Sequence, residues 1–253
     1  MSVPLVASIG TTMPYASAGV LLDLAVIRTF GARPVAIVAG VSAQDAERVL
    51  ARLPVDAGTI AKQFDALTGL RIGAFCIGAL LDPGSVRAVA TGLAGHPRVP
   101  VVCDPVIAAS GGDRLADDAT IAALRELLFP RCALITPNLA EAALLTGGTV
   151  KDLAGMHAAL PALFAFGPAA VLLKGGHLRG DAIDLFADGA SVRELHAPRI
   201  PHELRGTGSL LAAAVASRLA LHDPLPVAVD AARAFVRECI EHGMPFAGMR
   251  VAY

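Results

Sequence analysis

Tryptophan is absent from this 253-residue chain and tyrosine occurs only twice, so the aromatic platforms on which single-stranded nucleic acids stack are scarce. An excess of charge of either sign is lacking too. The 21 Lys and Arg residues face 22 Asp and Glu, a net charge of −1, and no stretch gathers the basic residues that would neutralise a phosphate backbone. Nucleic acid is therefore not an expected partner. Long apolar runs are missing as well: the segment from Leu210 to Leu221 is broken by Arg218, well short of the about 18 residues a membrane span needs. No membrane partner is expected. Met1 to Gly10 holds no basic residue ahead of its short apolar stretch, which argues against a secretory signal and leads to an expectation of the cytoplasm. The four cysteines, Cys76, Cys103, Cys132 and Cys239, are too dispersed for a metal-binding pair and too few for a disulfide scaffold. They read as reduced, buried small hydrophobes, with a reactive thiol near a site as the other reading.

What the chain has is 55% hydrophobic residues in short, regularly spaced blocks. Apolar segments at Val3 to Ile9, Val35 to Val41, Ile72 to Ile77, Val99 to Cys103, Ala133 to Ile135 and Ala170 to Leu173 are bounded by Gly, Pro or Asp and predict buried strands. Between them, Gly19 to Phe30, Pro83 to Leu93 and Ala116 to Leu128 carry helical spacing and predict crossover helices. Strands apolar along their whole length require cover on both faces, which a parallel sheet with helices on each side supplies. The class is α/β. Asp181 to Ala187 and Ser191 to His196, separated by Asp188 and Gly189, predict an antiparallel hairpin. Helices from Gly208 to Leu221 and from Leu225 to Glu241 then close the chain, the second with Val227, Ala231, Phe235 and Cys239 on one face. No repeat or low-complexity linker interrupts it, so residues 1–253 read as one domain.

Four segments carry candidate chemistry, each with an ordinary structural alternative. Gly206, Thr207, Gly208 and Ser209, after Arg205, open an apolar helix, where unpaired N–H groups suit a phosphoryl group; a plain N-cap is the alternative. Asn138 and Glu141, three residues apart after Thr136 and Pro137, would aim an amide and a carboxylate at a hydrated Mg²⁺ or a phosphate; a capping box uses the same pattern. Lys174 ends a strand before Gly175, Gly176 and His177, a place where open α/β sheets bind ligands, though a solvated lysine also fits. Asp104 leaves another strand ahead of Gly111, Gly112 and Asp113, placed to organise a metal's water shell or to cap a turn. Neither a G-x-x-x-x-G-K-[ST] loop nor a G-x-G-x-x-G crossover is present.

Taken in order, DPVIAASGGDRL from Asp104, ITPNLAEAALLTG from Ile135, VLLKGGHLRGDAIDLFADG from Val171 and RGTGSLLAAAVASRLA from Arg205 resemble the ribokinase-like superfamily. Within it the chain is most similar to the hydroxymethylpyrimidine/phosphomethylpyrimidine kinases of thiamin biosynthesis, with AGVLLDLAVIRTFGA from Ala18 and VAGVSAQDAERV from Val38 extending the likeness. The resemblance implies a three-layer α/β/α sandwich with a mostly parallel sheet, ATP as donor, Mg²⁺, a pyrimidine alcohol or its monophosphate as acceptor, and a homodimer. It places Asp23 and Gln44 on the aminopyrimidine, with Gly10 and Val106 on the pocket wall. Asn138 and Glu141 would govern metal and phosphate, with Asp104 as a further metal residue. Lys174 would lie near the nucleotide phosphates, Gly206 to Ser209 would form the anion hole, and Cys76 to Ala79 would run beside the same phosphates.

Three positions depart from the family. Ser209 stands where these kinases usually present Cys or Asp, and a neutral hydroxyl is too weak a base to take the acceptor's proton. General-base assistance is worth about 10²- to 10⁴-fold, whereas the largely dissociative transfer depends chiefly on positioning, so a slow kinase or a retired one is expected. GTTMPYASAG from Gly10 replaces a more polar loop, so Met13, Pro14 and Tyr15 would reshape the pocket entrance. Arg205 stands where His is common; its fixed charge could compensate at the transferring phosphoryl group, and an ordinary surface arginine is the alternative. The rival readings are a pyridoxal kinase and a lapsed paralogue that binds pyrimidine or nucleotide.

Overall fold

The structure, a computed structural model, describes residues 3–109, 112–176, 178 and 180–252. His177 and Gly111, named above, lie outside the described residues. Nine strands among the described residues form one sheet: β1 (Leu5–Thr12), β2 (Arg33–Gln44), β3 (Val49–Pro54), β4 (Ile72–Ile77), β5 (Val101–Cys103), β6 (Leu134–Ile135), β7 (Val171–Leu173), β8 (Ala182–Ala187) and β9 (Val192–Ala197). Their spatial order is β3-β2-β1-β4-β5-β6-β7-β8-β9. The pairs from β2 through β1 and β4 to β7 are parallel, and β3, β8 and β9 add antiparallel margins. Because the chain steps outward from β1 to β2 and then returns to place β4 on β1's other side, the order reverses between β1 and β4. Open sheets of this kind take ligands at that reversal, beyond the carboxyl ends of the strands.

Among the described residues, eight α-helices cover the sheet: α1 (Gly19–Thr29), α2 (Ala57–Ala66), α3 (Pro83–Ala94), α4 (Asp118–Ala123), α5 (Leu139–Thr146), α6 (Leu153–Phe164), α7 (Thr207–Ala220) and α8 (Leu225–His242). Side chains alternate along each strand, so Ile9, Phe75, Ile77 and Ile135 pack with α2 to α6, whereas Val6, Ala74, Val102 and Leu134 pack with α1, α7 and α8. Two cores flank one sheet, giving the three-layer sandwich expected. Nine residues of α7 are buried, mostly alanines, so its backbone lies close on the sheet. No helix among the described residues is long and apolar enough to cross a membrane. All four cysteines are free of disulfides.

The six expected parallel strands are present, with ends displaced by up to three residues. Several elements differ from the sequence reading. Strand β3 and helices α2 and α6 are additional. The expected helix from Ala116 to Leu128 is α-helical only over α4, then widens to a π-turn at Leu124–Leu128 and tightens to a 3₁₀ turn at Phe129–Arg131. The expected face of α8 holds at Phe235 and Cys239, which pack against the core, but not at Val227, which is 49% exposed; Ala228, Val229 and Ala232 are the buried positions. The chain also continues past α8 into a hairpin of β10 (Met244–Phe246) and β11 (Met249–Val251).

Candidate active site

Strand ends and helix starts converge at the carboxyl edge of β1 and β4 to β7. Asp104 follows β5 directly, anchored by its N–H to Ile77 O at 2.8 Å. Its Oδ1 accepts from Lys174 Nζ at 2.7 Å and from Thr136 Oγ1 at 2.9 Å. Lys174 is held by its own N–H to Pro137 O at 2.8 Å, so the residues after β5, β6 and β7 meet at one ion pair. The two side chains are only 6% and 17% exposed.

Asn138 caps α5 in a two-way capping box: Glu141 N donates to Asn138 Oδ1 at 2.9 Å, and Asn138 N donates to Glu141 Oε2 at 2.8 Å. The structural alternative for this pair is therefore realised, and it leaves Glu141 buried beside Lys174. Burial pushes the Glu141 carboxyl up to about 7, against the opposing charge of Lys174. Burial alone would lower Lys174, but Asp104 and Glu141 outweigh it and its pKa is raised. The lysine is thus a charged group held among carboxylates.

The start of α7 presses on this pair. Gly206 has φ +83°, and a Cβ there would stand 2.1 Å from Ser17 O. At Gly208 a Cβ would stand 2.4 Å from Asp104 Oδ2 and 3.3 Å from Lys174 Nζ. The backbone N–H groups at the head of α7 thus open beside the Asp104–Lys174 pair, a place suited to an anion. Thr207 is the first residue of that helix. Ser209 Oγ accepts from Gly19 N at 3.0 Å, joining the starts of α7 and α1.

On the other side of the crevice, Asp23 of α1 is 2% exposed. Its Oδ2 accepts from Ser8 Oγ at 2.6 Å, while Oδ1 has no partner among the described residues. Burial pushes this carboxyl up to about 7, with the Ser8 hydrogen bond opposing and Asp104 adding to the rise. Gln44 ends β2, its Nε2 donating to Met13 Sδ at 2.7 Å. Gly10 sits near the end of β1 with Gly78 and Ala79 opposite, and Gly78 N donates to Ile9 O at 2.9 Å. Val106 packs with Ala79, Leu81 and Leu115. The β2–β3 hairpin lies over this end and is tied down by Val49 N to Asp113 Oδ2 at 2.7 Å and by Arg52 Nη1 to Arg114 O at 2.5 Å and Leu115 O at 2.7 Å.

Arg205 is placed differently from the sequence expectation. Its Nη1 donates to Ala46 O at 2.9 Å, so the guanidinium is tied to the turn between β2 and β3 and not to the Asp104–Lys174 pair. Of the loop Met13 to Tyr15, Met13 is buried against Gln44, and Tyr15 turns outward, edge-on to Phe246 at 5.6 Å. Sequence reasoning missed Ser8, which is legible only as one small polar residue in an apolar strand, and Thr136, which lay inside a quoted motif without a role.

Asp104 and Glu141 are the carboxylates available to a divalent ion; among the described residues no three His, Cys, Asp or Glu side chains gather into a metal cage. Such a donor set fits Mg²⁺, which keeps several waters and takes one or two carboxylates plus phosphate oxygens.

A sequence model described as phosphomethylpyrimidine kinase matches residues 14–251. The chain belongs to the phosphomethylpyrimidine kinase family. It is therefore a phosphotransferase. This kinase is 37% identical over 248 residues to a hydroxymethylpyrimidine/phosphomethylpyrimidine kinase of Streptomyces coelicolor, covering 97% of this chain and 91% of that one. It is 39% identical over 227 residues to the enzyme of that name from Rhizobium meliloti, covering 88% and 85%. Among solved structures, the kinase superposes on a phosphomethylpyrimidine kinase from Clostridium difficile with a TM-score of 0.83 at 25% identity, over 94% of this chain and 99% of that one. An ADP complex of Bacillus subtilis pyridoxal kinase gives a TM-score of 0.88 at 27% identity, over 97% and 94%.

Proposed function

We propose that this kinase transfers the γ-phosphoryl group of ATP to 4-amino-5-hydroxymethyl-2-methylpyrimidine, to its monophosphate, or to both in turn, in the making of thiamin. The observation that carries the acceptor is Asp23: a buried carboxylate whose Oδ1 has no partner among the described residues is a vacant acceptor, suited to an exocyclic amine. Gln44 supplies the second polar contact once its amide leaves Met13, and Gly10 and Val106 line the ring's pocket. Lys174 and the N–H groups of Gly206 to Ser209 hold the phosphoryl group, with Asn138 and Glu141 alongside. Mg²⁺, held through Asp104 and Glu141, supplies charge neutralisation of the triphosphate.

The new bond forms from the acceptor hydroxyl oxygen to phosphorus as the bond to the departing ADP oxygen breaks. The hydroxyl proton leaves late, to a phosphate oxygen or to water, because Ser209 offers no base. Lys174 and the helix start act on charge that is already present, and their placement replaces proton transfer as the main source of rate.

The test is mass spectrometry of products from a panel of vitamin precursors incubated with ATP and Mg²⁺. Phosphorylated pyrimidine is expected. If pyridoxal reacts and the pyrimidine does not, the acceptor follows the Bacillus subtilis pyridoxal kinase likeness instead. We further propose a single kinase domain, a homodimer and a cytoplasmic location; sedimentation of the purified chain tests the dimer.

A further inference from the structure

We propose that Asp184 of β8 and Arg233 of α8 are positioning residues for Lys174. The inference rests on the reading of Lys174 as the lysine that meets the nucleotide phosphates. Immediately after it, Gly175 N donates to Asp184 Oδ1 at 2.9 Å. The backbone there is pressed onto β8 so closely that a Cβ on residue 175 would fall 1.9 Å from Ile183 O. Asp184 Oδ2 accepts from Arg233 Nε at 2.8 Å, and Arg233 Nη2 donates to Leu195 O of β9 at 2.6 Å. The carboxylate thus spans from a helix-borne guanidinium to the peptide that carries Lys174 into the site.

The pair is largely out of solvent, at 16% and 17% side-chain exposure. A buried ion pair is commonly no more stabilising than apolar side chains of the same shape, so fold stability is a weak reason for charge here. Position is a stronger one. Asp184 is also the third carboxylate acting on Lys174, after Asp104 and Glu141. A second guanidinium holds the far end of the same loop: Arg199 donates to Gly176 O at 2.6 Å, to Gly180 O at 2.7 Å and to Leu178 O. With Gly175 N held by Asp184 and Gly176 O by Arg199, the two peptides that follow Lys174 are fixed, and the ammonium stays aligned with Asp104.

The experiment is a double-mutant cycle read as equilibrium affinity for Mg·AMP-PCP by calorimetry, which needs no turnover. Asp184→Asn is expected to weaken binding about tenfold through loss of a charge-assisted bond, and to leave the acceptor KM unchanged. In a Lys174→Met background the same change is expected to cost less than about twofold, because its effect runs through that lysine. Arg233→Lys, which keeps the charge but loses the fork, is expected to fall between and serves if Asp184→Asn does not fold. An Asp184→Asn protein with a lower melting temperature but unaltered affinity, or an equal loss with and without Lys174, overturns the proposal. Failure of the parent chain to bind Mg·AMP-PCP overturns the kinase reading and this inference together. Binding without phosphorylation of any pyrimidine overturns the acceptor assignment alone.

Discussion

Replacing Asp23 with Asn should stabilise the protein while weakening its grip on the acceptor, and the stabilisation should depend on pH. The carboxyl is buried with one oxygen unpartnered, and burial raises it from 3.8 to about 7. At about 1.4 kcal/mol for each pH unit, that rise sets an upper limit of roughly 4 kcal/mol on the cost of ionising it in the fold. The sign follows from linkage. Below pH 3.8 the group is protonated in both folded and unfolded chains and costs nothing; between 3.8 and 7 the unfolded chain ionises and the folded one does not, so stability falls as pH rises; above 7 the full cost stands. Asn cannot ionise, but its amide leaves a buried donor unpaired, at about 1–3 kcal/mol. The net gain of Asp23→Asn is therefore roughly 1–3 kcal/mol above pH 7, a rise of several degrees in melting temperature, and it turns into a loss of about 1–3 kcal/mol near pH 4, where only the unpaired amide counts. Glu141 titrates in the same window, so the parent and the variant are compared at each pH by urea denaturation, and only their difference is used. A difference that stays flat across this range, or a variant less stable at pH 8, refutes the vacancy argument. In the same samples the acceptor KM is expected to rise at least tenfold, the usual exchange of stability for function at a strained polar site.

Gly208→Ala forces a methyl onto Asp104 Oδ2 and splits the Asp104–Lys174 pair, so kcat should collapse and stability fall by about 3–5 kcal/mol; adding Asp104→Ala should relieve the clash and recover part of that stability, measured by calorimetric melting. Arg205→Ala releases the β2–β3 turn at Ala46, so the acceptor KM should rise several-fold with kcat unchanged; a loss of about 10³-fold in kcat alone would instead put the guanidinium at the phosphoryl group. Ser209→Asp keeps an acceptor for Gly19 N and adds a base, and should raise kcat about 10²-fold or more in steady-state assays. Equal rates for both would show that proton transfer does not limit the reaction.

What could be seen in the sequence was what burial writes into it. Strands β1, β4, β5, β6 and β7 are closed on both faces, so their residues are mostly apolar, with Ser8 and the last two threonines of β1 the exceptions, and their ends are marked by Gly, Pro or Asp. The chemistry-bearing motifs follow those ends, which is why Asp104, Asn138 and Lys174 were legible as a set of strand exits before any contact was known. Strand β3 was not, because it is an exposed edge in which Leu50 and Leu53 are 59% and 68% open and no alternation marks an inner face. Helix α8 was read correctly at Phe235 and Cys239, which pack against the core, but not at its start, because there it lies against the alanine-rich α7: where two helices approach closely, the smallest side chains mark the contact, so Ala228 and Ala232 are buried and Val227 is open. The same distinction separates the two halves of the site. Lys174 and Asp104 are tied by strand geometry, and spacing suffices to find them. The vacancy on Asp23 arises because both donors that reach the carboxylate, Ser8 Oγ and Cys76 Sγ, fall on Oδ2 and leave Oδ1 open, and the Arg205 contact arises because the β2–β3 turn brings Ala46 O within reach. Both depend on tertiary approach between elements far apart in the chain, which residue spacing does not encode.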